Sequence, residues 1–140
     1  MGSNRHIYSF RRSPGHFMKH ILVIDDDEQV RTLVGRFISG AGFAVEMADN
    51  GVTGLAAMRR APADVVITDI IMPEKEGVET IMELRRDFPD AKIIAMSGGS
   101  PQMQPDLPLR LARTLGADRI LHKPFTRDAL LNLVNELTSS

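Results

Sequence analysis

A chain of 140 residues has room for one domain of ordinary size, and 43% hydrophobic with 25% charged residues is the composition of a packed globule, not of a disordered chain. The formal net charge of −1 leaves no global field to recruit nucleic acid. Cysteine is absent, which excludes a disulfide scaffold and thiolate metal sites and fits a reducing compartment, and no apolar run approaches the roughly 20 residues that span a bilayer.

Residues 1–17 carry Arg5, Arg11 and Arg12 and no acid, so a +3 arm precedes a remainder of net charge −4. The arm lacks the apolar stretch of a signal peptide. Its three arginines fall short of the roughly four to eight of a membrane-binding cluster. Met18 opens the patterned part of the chain and reads as its natural start, with Met-Gly-Ser as an expression scar. The expected division is an appended or flexible extension over 1–17 and one domain over 18–140.

From Met18 onward, short apolar runs alternate with stretches of helical spacing. Ile21–Ile24 predicts a first strand. Val30, Leu33, Val34, Phe37 and Ile38 recur at i, i+3, i+4, i+7 and i+8 and predict a first helix. Phe43–Met47 is the second strand, and Val52, Leu55 and Ala56 mark the second helix. Val65–Ile67 is the third strand, followed by a helix on Val78, Ile81, Leu84 and Phe88. Ile93–Met96 is the fourth strand, and Leu109, Leu111 and Leu115 suggest a short helix. Ile120–Leu121 is the fifth strand, and Leu130, Leu133, Val134 and Leu137 form the last helix with Thr126 as its N-cap. Gly40, Gly42 and Gly116 stand where helices should stop.

Five strands alternating with five helices are spaced as βαβ units require, and near-continuous apolar strands imply a parallel sheet covered on both faces. Right-handed crossovers then give a doubly wound α/β sandwich. The pattern ends with the fifth helix, and no output domain is expected within these residues.

Ligands of such sheets bind outside the carboxyl ends of the strands. The first strand runs into Asp25, Asp26, Asp27 and Glu28, the second ends near Asp49 and Asn50, the third at Asp69, the fourth at Ser97-Gly98-Gly99, and the fifth at Lys123-Pro124. Each has a plain structural reading: a helix-capping acid cluster, a turn aspartate, a flexible loop, a solvated lysine. Their coincidence on one rim favours chemistry. Clustered carboxylates suit a hard divalent cation such as Mg²⁺, Lys is a point charge for a carboxylate or phosphoryl oxygen, and Ser can donate to a transferred group. Phosphoryl transfer needs mainly such positioning and neutralisation, and one carboxylate could itself accept the group.

The pieces ILVIDDDEQVR, DVVITDIIMPEKEG, IIAMSGG and LHKPF, with the spacing Asp69–Met72–Pro73–Gly77 and the run Lys123-Pro124-Phe125, resemble the receiver domain of two-component response regulators, of the chemotaxis-regulator-like kind. The resemblance runs from Met18 to Leu137. It implies a five-stranded parallel sheet of order 2-1-3-4-5 flanked by five helices, a flavodoxin-like topology. It implies Asp69 as phosphoacceptor, and Mg²⁺ held by Asp26 directly, by Asp25 through water, by Asp69 and by the backbone carbonyl of Ile71. It implies Ser97 and Lys123 as the hydroxyl and ammonium on the phosphoryl group, and a cis Lys123–Pro124 peptide. The expected partner is a sensor histidine kinase or histidine phosphotransfer protein, in the cytoplasm, with no direct contact to nucleic acid or membrane; the downstream target is not readable. Such a domain takes on and loses its own phosphoryl group and is not a turnover enzyme.

Three positions depart from the family pattern. The switch aromatic of the fifth strand is Ile120. The segment from Ser97 to Gly116 is several residues longer than in compact members and holds Pro101, Pro105 and Pro108. Ile71 and Gly99 carry no polar side chain to orient a hydrolytic water, which predicts slow self-dephosphorylation.

Three rival readings draw on the same residues. A haloacid dehalogenase-like phosphatase shares Asp25-x-Asp27 but has Thr or Val where Gln29 stands. It also needs a second acidic pair after the lysine, where only Asp128 and Glu136 occur. A flavodoxin-like cofactor domain needs a phosphate loop where four acids stand. A phosphorylation-independent interaction module is the third rival, kept open by Ile120. His6, His16, His20 and His122 form no ligand-spaced pair.

Overall fold

The computed structural model describes residues 18–70, 76–98, 110 and 113–139. Its parallel sheet has the order β2-β1-β3-β4-β5, built from β1 (His20–Ile24), β2 (Ala44–Ala48), β3 (Val65–Asp69), β4 (Lys92–Ser97) and β5 (Arg119–His122). Helices α1 (Glu28–Gly40), α2 (Gly51–Arg60) and α3 (Glu76–Asp87) fill the first three crossovers. A fourth helical segment, α4, is described at Arg110 and residues 113–115, and α5 (Arg127–Thr138) ends the fold. This is the doubly wound architecture that the strand–helix alternation predicts.

Alternation along the strands divides the core in two. Leu22, Ile24, Val66, Ile93 and Ala95 face α2 and α3, joined by Leu55, Met58, Ile81 and Leu84. Ile21, Val23, Val65, Ile67, Ile94 and Met96 face α1 and α5, joined by Val34, Ile38, Leu130 and Val134. Both layers are built from buried apolar side chains, as a sheet covered on both faces requires. Among the described residues no helix is long and apolar enough to cross a membrane.

Two helices sit in a register other than the apolar pattern suggests. In α2 the buried stripe is Gly51, Gly54, Leu55 and Met58, whereas Val52 is 71% exposed and Ala56 faces out. The cause is Gly54: a methyl group there would overlap the Ile24 side chain, so the helix lies against β1 on its glycine face. In α1, Gly35 packs on Met47 in the same way, and Leu33 is turned to 45% exposure. Apolar counting gives a glycine no weight, although close backbone approach is what glycine makes possible. Gly42 (φ 97°) and Gly116 (φ 114°) end α1 and α4 in the left-handed region, as expected of helix stops.

Candidate functional site

The ladders run one residue past the strands and thereby place the polar rim. Asp25 N donates to Ala48 O (3.1 Å), Ile70 N to Met96 O (3.0 Å), and Lys123 N to Ser97 O (2.7 Å). Asp25, Asp69 and Lys123 are thus fixed by sheet hydrogen bonds before their side chains make any contact.

The four acids after β1 divide their work. Asp27 is the N-cap of α1, its carboxylate accepting from Gln29 N and Val30 N. Asp25 is fully buried and its Oδ1 accepts from Asp27 N (2.9 Å). Asp25, Asp26 and Asp69 each offer a carboxylate oxygen within 4.8 Å of the others. Asp49, at the end of β2, is spent on local capping: it accepts from Thr53 Oγ1 beside the Asn50–Thr53 capping box of α2. Capping and chemistry are both true, on neighbouring residues.

Lys123 closes the site from β5. Its Nζ lies 3.0 Å from Asp25 Oδ2 and 3.2 Å from Asp69 Oδ2. Burial by itself lowers the pKa of this ammonium, but the charges and hydrogen bonds of Asp69 and Asp25 outweigh it and hold the group above the ordinary lysine value. Lys123 is therefore a fixed cation. Three carboxylates against one ammonium leave the cluster two charges negative, and an all-oxygen donor set with surplus negative charge is suited to a hard divalent cation. Ser97 is buried at the end of β4, one residue past the register partner of Asp69. The Lys123–Pro124 peptide is cis.

Of the residues expected to form the site, Asp25, Asp26, Asp69 and Lys123 come together and Ser97 ends the adjoining strand. Ile71 and Gly99 lie outside the described residues, as do residues 1–17 and Pro101, Pro105 and Pro108 of the long loop. Ile120 is half-buried and packs inward on the α2–α3 side of the core with Leu115. Sequence reasoning missed the reason for two glycines. A methyl on Gly77, in the first turn of α3, would collide with the backbone of Ile70. The spacing from Asp69 to Gly77 therefore lets α3 start against the end of β3. A methyl on Gly98 would come within 3.1 Å of the Lys123 stem. The acids that a phosphatase would need after the lysine are elsewhere: Asp128 and Glu136 lie exposed on α5, with Glu136 paired to Arg119.

A doubly wound sheet with an acidic trio and a lysine at the carboxyl ends of its strands is an α/β domain with a rim suited to a cation and a phosphoryl group. The chain belongs to the response regulator receiver domain family, whose pattern it matches over residues 21–135. It is 33% identical over 118 residues to the response regulator MprA of Mycobacterium leprae, covering 84% of this chain and 50% of that protein. It is 31% identical over 121 residues to the response regulator receiver protein CpdR of Brucella abortus, covering 86% of this chain and 94% of that protein. The solved chemotaxis protein CheY4 of Vibrio cholerae superposes with a TM-score of 0.76 at 28% identity, covering 86% of this chain and 99% of that one. The chain spans about half the length of relatives such as MprA. Receiver domains are signalling modules of two-component systems, not turnover enzymes in general.

Proposed function

We propose that Asp69 accepts a phosphoryl group from a histidine kinase or histidine phosphotransfer protein. A carboxylate oxygen of Asp69 attacks phosphorus, the P–N bond of the phosphohistidine breaks, and its electron pair returns to the imidazole nitrogen. The product is an acyl phosphate on Asp69. Lys123, already on the Asp69 carboxylate, moves its ammonium to a phosphoryl oxygen, and Ser97 donates its hydroxyl to another. Asp25, Asp26, Asp69 and the Ile71 carbonyl are the groups that would hold Mg²⁺, which when bound supplies charge neutralisation for the transferring phosphoryl oxygens. Residues 18–140 make up this unit, acting in the cytoplasm, with residues 1–17 outside it.

The observation that carries the reading is three carboxylates within 4.8 Å of one another, two of them, Asp25 and Asp69, bonded to the Lys123 ammonium. The test is intact mass after treatment with acetyl phosphate and Mg²⁺. One added phosphoryl group is expected on the parent and none on Asp69→Asn. Labelling that survives in Asp69→Asn would sink the assignment.

A further inference from the structure

Asp26 is the odd member of the trio. Asp25 and Asp69 are buried and each receives a hydrogen bond from Lys123. Asp26 is exposed, and among the described residues its carboxylate accepts no hydrogen bond. Its direction is therefore set by the backbone on either side. On the following side, Asp27 N is tied to Asp25 Oδ1. On the preceding side, Asp25 N is tied to Ala48 O, and the Asp25 carbonyl accepts from Arg31 Nη1 at 2.8 Å. That carbonyl belongs to the same planar peptide as Asp26 N, so fixing one fixes the other.

Arg31 has a further peculiarity. It sits in the first turn of α1, its own N–H donating to Asp27 O, four to six residues after Asp25, Asp26 and Asp27. Among the described residues it makes no ion pair, and its guanidinium is bonded to a neutral carbonyl instead. We propose that Arg31 is a positioning residue for the cation site: by holding the Asp25 carbonyl it fixes the Asp25–Asp26 peptide and so the direction in which Asp26 presents its carboxylate. This rests on the reading of the acidic trio as a Mg²⁺ site.

Charge and position make opposite demands here, which makes the proposal testable by sign. A guanidinium beside the site repels a divalent cation. If Arg31 acted through charge alone, removing it would tighten Mg²⁺ binding. If it acts by position, removing it weakens binding despite the lost repulsion. The experiment is a Mg²⁺ titration of the ¹⁵N-labelled full chain, followed by the Asp26 and Asp27 amide shifts, for the parent, Arg31→Met and Arg31→Lys. Thermal midpoints in EDTA report folding separately. Arg31→Met should bind Mg²⁺ about tenfold more weakly, the scale on which groups that orient metal ligands act. Arg31→Lys, which keeps a donor and the charge, should fall between it and the parent, with both variants folded. Unchanged or tighter binding in Arg31→Met overturns the proposal, as does an equal loss in the two variants. Asp26→Asn is the control on the underlying reading: it should lose Mg²⁺ binding, and full binding there removes the metal site itself and not merely the role of Arg31.

Discussion

The two ends of the sheet treat charge in opposite ways. Away from the carboxyl ends of the strands, Asp118, Asp64 and Glu46 each have dedicated partners. Asp118 accepts from Arg85 (2.9 Å) and from Ile93 N (2.8 Å). Asp64 accepts from His20 N, and Glu46 is bonded to Arg60 with His20 beside it. At the carboxyl ends, Asp25, Asp26 and Asp69 crowd together, and the Lys123 ammonium is bonded to only two of them, Asp25 and Asp69. The first arrangement holds the fold together. The second is unbalanced until something positive arrives, and that imbalance separates a site from a scaffold within one molecule.

The scaffold end should show the largest loss on mutation. Arg85 donates to Pro89 O, Ala91 O, Gly116 O and Asp118 Oδ2, so one guanidinium joins the end of α3, the approach to β4 and the turn before β5. Arg85→Ala removes all four bonds and leaves Asp118 with Ile93 N but no counter-charge. A destabilisation of about 3 kcal/mol is expected from the summed hydrogen bonds of a partly exposed group. Phosphoryl acceptance measured well below the melting point should persist. An Arg85→Ala protein that melts with the parent, or that folds but takes no phosphoryl group, would erase the distinction between the two ends.

A smaller loss is expected where scaffold and site meet. Gly77 touches the Ile70 backbone, which cannot rotate away as a side chain can. Gly77→Ala must push α3 off the end of β3, at a cost of about 2 kcal/mol by overpacking. Because Ile70 follows Asp69 directly, this substitution should also slow phosphorylation. Chemical denaturation and the acetyl phosphate reaction check the two halves of that statement, and a variant stable but unreactive, or reactive but unstable, would show which end Gly77 serves.

How much of this the sequence discloses follows from what each residue is bonded to. Strand ends were legible because apolar runs stop at polar residues, and Asp25, Asp26, Asp69, Ser97 and Lys123 all stand at those stops. Asp27 and Asp25 are neighbours with different roles, and either role could be read from the same four acids. Arg31 and Arg85 leave little trace in the sequence because all of their partners but one, Asp118, are backbone carbonyls, which leave no mark on composition or spacing. Apolar spacing misplaces the α2 register because the contact with Ile24 is made by Gly54. Gly77 belonged to a recognisable spacing, but its reason, the Ile70 backbone, exists only in three dimensions.

The site end should respond in the opposite direction. Asp69→Asn removes repulsion from two carboxylates and attraction to one ammonium, a net relief of roughly one like-charge contact. About 1 kcal/mol of stabilisation is expected without metal at an intermediate effective dielectric. With the trio holding Mg²⁺ as proposed, the cation should then close the gap, because it would stabilise the parent by binding the folded state and would lose a ligand in the variant. Thermal melts in EDTA and in excess Mg²⁺ give both numbers. A variant less stable than the parent in EDTA would mean that the trio is balanced after all.

The smallest effect belongs to Gly98, which borders Lys123, the cation bonded to Asp25 and Asp69. A methyl placed there lies 3.1 Å from Cδ and 3.4 Å from Cβ of Lys123. That is tight but not forbidden, because a lysine stem can yield by a few tenths of an ångström. The Lys123 backbone is held by Ser97 O and its ammonium by two carboxylates, so the displacement must appear between them, in the stem, and reach the Nζ position only in part. Stability should therefore stay within about 0.5 kcal/mol of the parent, as for a surface substitution. Phosphoryl acceptance is more sensitive to geometry: an ångström of misplacement costs on the order of a hundredfold, so a few tenths should cost about threefold. The measurement is the initial rate of acyl phosphate formation in Gly98→Ala beside its melting point. A rate equal to the parent's would show that Lys123 tolerates displacement, and that the carboxyl end of the sheet is set by charge more than by position.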